Sequence, residues 1–235
     1  MEYSWNKTEA ALVVAVTGLL GVMGAVGSAV PREGIPSLRG LIVGFSVAPL
    51  LAIVMWLRRR KDSPEVQESG SSGVLNELAP SPYPLVPALK YGVLQGALMI
   101  FPVMVVMFAT QIIWIMAGWP LKGQEILRWF MSDDASMWVR GVIVFSAVIV
   151  APVAEEVLHR GVILSVMMRH LRPWKAVVLG SLFFGVIHLN FMAIPALTLA
   201  GMFFSYGYLH TRSLLTSIVM HVVFNAANLA FVAIM

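Results

Sequence analysis

From Tyr91 to Trp119 the chain runs for 29 residues without a charged side chain. A hydrocarbon slab of roughly 30 Å needs about 20 apolar residues in a helix. This stretch therefore sets the solvent in which the chain must fold. Ala10 to Val30 is uncharged over 21 residues, and Gly40 to Leu57 over 18. Four more apolar stretches follow: Met137 to Ala154, Ala176 to Asn190, Phe191 to Leu209 and Ser213 to Met235. Backbone groups in lipid must be satisfied within their own segment, so helices are expected rather than strands. The expected fold class is all-α: a polytopic integral membrane helix bundle of about seven transmembrane helices. The range is six to eight, because the joins near 155–172 and 188–195 can be drawn in more than one way.

Composition agrees. Apolar residues make up 59% and charged residues 12%, against roughly 45–50% and 25% in soluble domains. With no cysteine, the chain has no disulfide, no thiolate nucleophile and no Cys-ligated zinc. The net charge of +4 would suit a polyanion, but the basic residues follow membrane topology instead. Arg58-Arg59-Arg60-Lys61 comes directly after the second span. Placing it in the cytoplasm puts 11 of the 16 basic residues inside and 5 outside. The expected location is the cell membrane, multi-pass, with the N-terminus cytoplasmic and, with seven spans, the C-terminus outside. No nucleic-acid partner is expected.

The first apolar segment is too long for the 7–15-residue core of a signal peptide and lacks a clean A-x-A site. It is expected to be a retained membrane helix. Its glycines at 18, 21, 24 and 27 suit close helix packing. The one long polar stretch, Arg58 to Pro87, holds five prolines and the run Glu68-Ser-Gly-Ser-Ser-Gly73, the composition of a flexible linker. The expected organisation is a two-helix membrane segment over 1–57, a cytoplasmic linker over 58–87 and a C-terminal core over 88–235.

Ionisable groups inside apolar spans are costly and usually functional. The first cluster is Glu155-Glu156-Val157-Leu158-His159-Arg160. Adjacent carboxylates repel, and burial disfavours both charges unless a cation compensates. Glu156 and Arg160, at i and i+4, share a helix face and can pair. Glu155 points about 100° away, given 3.6 residues per turn, and is left for chemistry. His159 stands within reach of Glu155, but with His170 and His210 it is expected to be an interface residue next to a loop. The second cluster is Phe184-Gly185-Val186-Ile187-His188. The third is His221-Val222-Val223-Phe224-Asn225, where Ser217, His221, Asn225 and Asn228 form a polar stripe.

A polar turn at Arg169 to Lys175 would place Glu155 about 24 Å and His188 about 21 Å from it at 1.5 Å per residue. His221 lies about nine residues from a turn at His210 to Arg212. One acid, two imidazoles and an amide could then converge in the cytoplasmic half of the membrane. Singly, these features suit an ion pair, an interhelical histidine and packing glue. Together, three such sites within 71 residues point to a polar active centre.

These residues resemble the CAAX prenyl protease and bacteriocin-processing family of intramembrane proteases, also called CPBP or ABI. The resemblance rests on Glu155-Glu156-x-x-x-Arg160, Phe184-x-x-x-His188 and His221-x-x-x-Asn225, with Pro152 before and Gly161 after the first motif. It covers roughly 138–228. His159 departs from the aromatic residue usual at that position. The resemblance implies hydrolysis of a peptide bond of a membrane-associated peptide or protein, prenylated or leader-type, with the lipid bilayer as the second partner. It implies Glu155 as the base that activates water and His188 as the group that holds the water or a metal. His221 and Asn225 would stabilise the oxyanion or complete a metal site. Glu156 with Arg160 would be a supporting ion pair, or Arg160 would meet a substrate carboxylate. Glu155, His188 and His221 would form a three-ligand set for zinc or another divalent metal. The same groups also suit a metal-free mechanism.

Gly70-Ser71-Ser72-Gly73 has the form of a rhomboid nucleophile but lies in the linker. The only aspartates, 62, 133 and 134, are all expected in loops, so an aspartyl mechanism is not expected. A proton-coupled carrier using the Glu and His cluster and a non-catalytic membrane scaffold are the alternative functions.

Overall fold

The structure, a computed structural model, describes residues 84–119 and 137–234. The two spans expected within 1–57, and the linker up to residue 83, lie outside the described residues. Every described element is helical. α1 is Leu85–Met116, α2 Met137–Phe145, α3 Ala151–Glu156, α4 Ser165–His170, α5 Pro173–Ile187, α6 Ile194–Thr211 and α7 Leu214–Ile234. Helix α1 starts six residues before the expected Tyr91, inside the range read as linker. Pro84 precedes it and Pro87 lies in its first turn, where a missing N–H costs no helical bond.

Two π-helical stretches, Ser146–Val150 and Val157–Leu164, connect α2 to α3 and α3 to α4. Backbone dihedrals at every junction stay right-handed helical. Residues 137–170 therefore form one continuous helix. It ends at Leu171, which is extended, and Arg172 is held out of the helical region by Pro173. Arg212, in the left-handed conformation with φ 51°, closes α6.

α1 and α7 meet through small residues. A Cβ on Gly96 would lie 3.0 Å from the Cα of Met220. α5 and α6 meet in the same way at Gly185, where a Cβ would lie 2.9 Å from the Ile194 carbonyl. Close approach through small residues is what helices use where burial from water gives no drive. The long helix runs antiparallel to α7 and crosses it obliquely. Val162 and Ile163 pack with Leu214 and Ile218, Glu156 meets His221, and Ala147 meets Asn225. Between the outer contacts the long helix advances further than α7 does.

Two helices are long and apolar enough to cross a membrane, Leu85–Met116 and Leu214–Phe231; Pro173–Ile187 is apolar but shorter. The outer face of α1 is apolar too: Phe101, Ile113 and Met116 are exposed, as suits a surface that faces lipid or another apolar partner.

Gly185→Ala is expected to lower the thermal midpoint in detergent, because its Cβ must displace backbone, at a cost of about 1–3 kcal/mol. Gly180→Ala, whose Cβ would meet only the Met167 sulfur at 3.6 Å, is the matched control and should be near neutral. Equal midpoints for the two variants would contradict this packing.

Candidate functional site

Among the described residues Glu156 is the most enclosed ionisable side chain, with no solvent exposure. Its Oε1 accepts from Arg160 Nη1 at 2.7 Å, one helical turn away. The same oxygen accepts from His221 Nδ1 at 2.9 Å. A carboxylate already paired with a guanidinium can only accept, so His221 carries its proton on Nδ1. Its Nε2 then presents a lone pair.

Arg160 is held from three sides. Nη2 donates to the Gly201 carbonyl of α6 at 2.8 Å. The Phe184 and Phe204 ring centroids lie 5.0 and 5.2 Å from its guanidinium carbon, within cation–π range. Phe204 also stacks on His221, with centroids 4.5 Å apart and planes at 20°. The imidazole is thereby fixed both in its plane and along its edge.

His188 is positioned by the end of α5. Its Nδ1 lies 2.6 Å from the Phe184 carbonyl, one turn earlier. A carbonyl can only accept, so Nδ1 is again the protonated nitrogen and Nε2 again offers a lone pair. Leu189, directly after it, has φ 52°, uncommon for a residue with a Cβ.

Glu155 faces both imidazoles. Its Oε2 lies 3.8 Å from His188 Nε2 and 3.9 Å from His221 Nε2. Oε2 is buried and accepts no hydrogen bond from the protein. The side chain as a whole is 25% exposed, against none for Glu156. Three acceptor atoms thus point at one small volume. They repel unless a proton donor or a cation stands between them, so the arrangement is suited to hold water or a metal ion. For zinc the donor types are right. The spacing is not: ligands of a tetrahedral zinc lie about 3.3 Å apart, given bonds of about 2.0 Å. Among the described residues no group of three His, Cys, Asp or Glu side chains is placed to hold a metal ion.

The structure brings together Glu155, Glu156, Arg160, His188 and His221. Asn225, one turn after His221 on α7, donates its amide to the Ala147 carbonyl at 2.9 Å. Ser217, in the same stripe, bonds the Leu214 carbonyl. His159 differs from the expectation of an interface position. It is 3% exposed and packs its ring against Phe183 and Phe184. The i+4 spacing from Glu155 puts it within reach only on an isolated helix; the aromatic wall of α5 takes the ring instead. His170 and His210 are exposed, and His210 stacks between Tyr91 and Tyr206.

Sequence reasoning missed the bond from His221 to Glu156, the aromatic cradle of Phe184 and Phe204, and the Gly201 carbonyl. The Phe184 motif position was visible; the rest are contacts between distant helices with no local signal.

No curated protein and no solved structure matches the chain. Residues 137–227, under half of its length, match the family model described as "Type II CAAX prenyl endopeptidase Rce1-like". Every side chain of the cluster lies within that range, so the part of the chain that holds the site is similar to the Rce1-like family.

Proposed function

We propose that the chain is an intramembrane endopeptidase that hydrolyses a peptide bond of a membrane-associated substrate with water activated by Glu155. The observation that carries this reading is the convergence of Glu155 Oε2 with two Nε2 lone pairs. A water in that volume donates one proton to Glu155 and the other to an imidazole, which turns its own lone pair outward. Glu155 takes the first proton as the water oxygen attacks the scissile carbonyl. The new C–O bond leaves a tetrahedral oxyanion. Collapse breaks the C–N bond, and the proton on Glu155 passes to the leaving amine. A carboxylate in a partly desolvated site is a competent base for this step.

His188 and His221 position the water. Glu156 and Arg160 hold His221 in the required tautomer, the part that a carboxylate plays behind a functional histidine. By donor type alone, Glu155, His188 and His221 would be the residues to hold a divalent metal. It would then supply Lewis acidity and a more acidic bound water.

A multi-pass membrane location with a cytoplasmic N-terminus is part of the proposal. It is supported by the apolar outer face of α1, by the length and apolarity of α1 and α7 and by one basic end of the bundle. Lys90, Arg169, Arg172, Lys175 and Arg212 are all exposed. They sit at the start of α1, the α4–α5 turn and the α6–α7 turn. His221 lies seven residues into α7, roughly 10 Å from that end, which suits a centre in the cytoplasmic half.

Glu155→Gln and His188→Ala should each reduce cleavage of a reconstituted membrane peptide by at least about 100-fold, the scale of a lost general base, with folding intact. Full proteolysis in both variants would remove Glu155 and His188 from the chemistry. Substrate flux across vesicles without any new peptide terminus would identify a carrier instead. Exhaustive chelation is expected to leave turnover unchanged. Loss of turnover restored by zinc would reassign the three converging atoms as metal ligands.

A further inference from the structure

Just before the paired glutamates the long helix changes register. The Ala151 N–H donates to the Ser146 carbonyl, five residues back, instead of to Ala147. In that register the next donor, the one facing the Ala147 carbonyl, belongs to residue 152. Residue 152 is proline and has no N–H. The register shift therefore leaves the Ala147 carbonyl without a donor from its own helix. In an apolar setting such a group is costly. Asn225 Nδ2, from α7, donates to this carbonyl at 2.9 Å.

We infer that Asn225 is a positioning residue that secures the π-helical turn before Pro152, and so sets the direction in which Glu155 leaves the helix. An inserted π-helical turn rotates everything after it around the helix axis. Glu155 and Glu156 follow by only a few residues. With the turn in place, Glu156 faces Arg160 and His221, and Glu155 faces the two Nε2 atoms. The asparagine acts on Glu155 through backbone rather than on reacting atoms. The same α7 carries His221 one turn before Asn225, so one helix supplies an imidazole and fixes the opposing acid. The structural part of this inference stands on its own. Its consequence for turnover rests on the proposed peptidase reading.

The test is a double-mutant cycle on the full-length protein in detergent or nanodiscs, using Asn225→Leu and Pro152→Ala. Leucine keeps the volume and cannot donate; alanine at 152 restores an N–H for the Ala147 carbonyl. With Pro152 in place, Asn225→Leu should lower the thermal midpoint by about 2–4 °C, the scale of one unsatisfied part-buried acceptor in a chain of this size. It should also reduce kcat by about ten- to a hundredfold, as a displaced catalytic group does. In the Pro152→Ala background both effects should largely disappear. Equal midpoint losses in the two backgrounds would overturn the link to Pro152. An equal loss of kcat in both, with unchanged midpoints, would overturn the positioning role and place Asn225 at the reacting atoms. Because the midpoints need no substrate, they decide the register contact even if no proteolysis is found. If Pro152→Ala does not fold, hydrogen exchange across 146–156 should be faster in Asn225→Leu than in the native protein. An unchanged rate there would overturn the inference.

Discussion

The centre depends on keeping one carboxylate charged where water does not reach. Glu156 has no exposure, and burying an unpaired ion costs several kcal/mol even after relaxation. Its Oε1 is answered twice, by Arg160 within the same helix and by His221 from α7. Arg160 is in turn answered by the Gly201 carbonyl and by two aromatic faces. Removing either partner strands a buried charge, with a penalty of about 3–5 kcal/mol. The intrahelical spacing brings the ion pair together locally, and tertiary packing need only add the third partner. Two neighbouring carboxylates thereby acquire different tasks. Each keeps one buried oxygen without a donor, but Glu156 is tied to Arg160 and His221 through the other, and Glu155 presents its free oxygen to the two Nε2 atoms.

Phe184 shows how tightly this centre is joined to the core. Its carbonyl sets the tautomer of His188. Its ring covers Arg160 and touches both His188 and His221 edge-on. The side chain is buried in one apolar cluster with Met99, Phe204, Met220 and Phe224. Packing of α1, α5, α6 and α7 is therefore transmitted directly to the two imidazoles. Precision at the site does not need a separate scaffold; the core supplies it.

What the sequence made legible follows from what is local or periodic. Uncharged runs announced α1 and α7, because lipid demands length and apolarity in one continuous segment. The spacing of Glu156 and Arg160 announced their bond, because i and i+4 face one another on any helix. His188 and His221 stood out as rare polar groups in apolar surroundings. The register shift before Pro152 was not legible as such; proline signals a kink but not which carbonyl is orphaned or which side chain answers it. The bond of His221 to Glu156 spans 65 residues and needed the oblique crossing of α7 over the long helix. His159 was misplaced because its polarity suggested a wet boundary. In the fold its ring is used as an aromatic surface against Phe183 and Phe184.

The connectivity of the centre also bears on what kind of machine it suits. A carrier must pass between two arrangements of its helices around a central site, so contacts there have to exchange at little cost. Here the buried ions join three elements at one level. Glu156 and Arg160 belong to the long helix, Gly201 to α6 and His221 to α7. Rocking any of these against another would part a charge-assisted hydrogen bond without water to replace it. Catalysis places the opposite demand on a site. Groups aimed at developing charge are most effective when they are held in place before the reaction and need not reorganise. A doubly anchored Glu156, two imidazoles with their outer nitrogens already committed, and a Glu155 oxygen that faces both imidazoles without a protein donor meet that demand. This rigidity favours a peptidase over a carrier for the same set of polar residues.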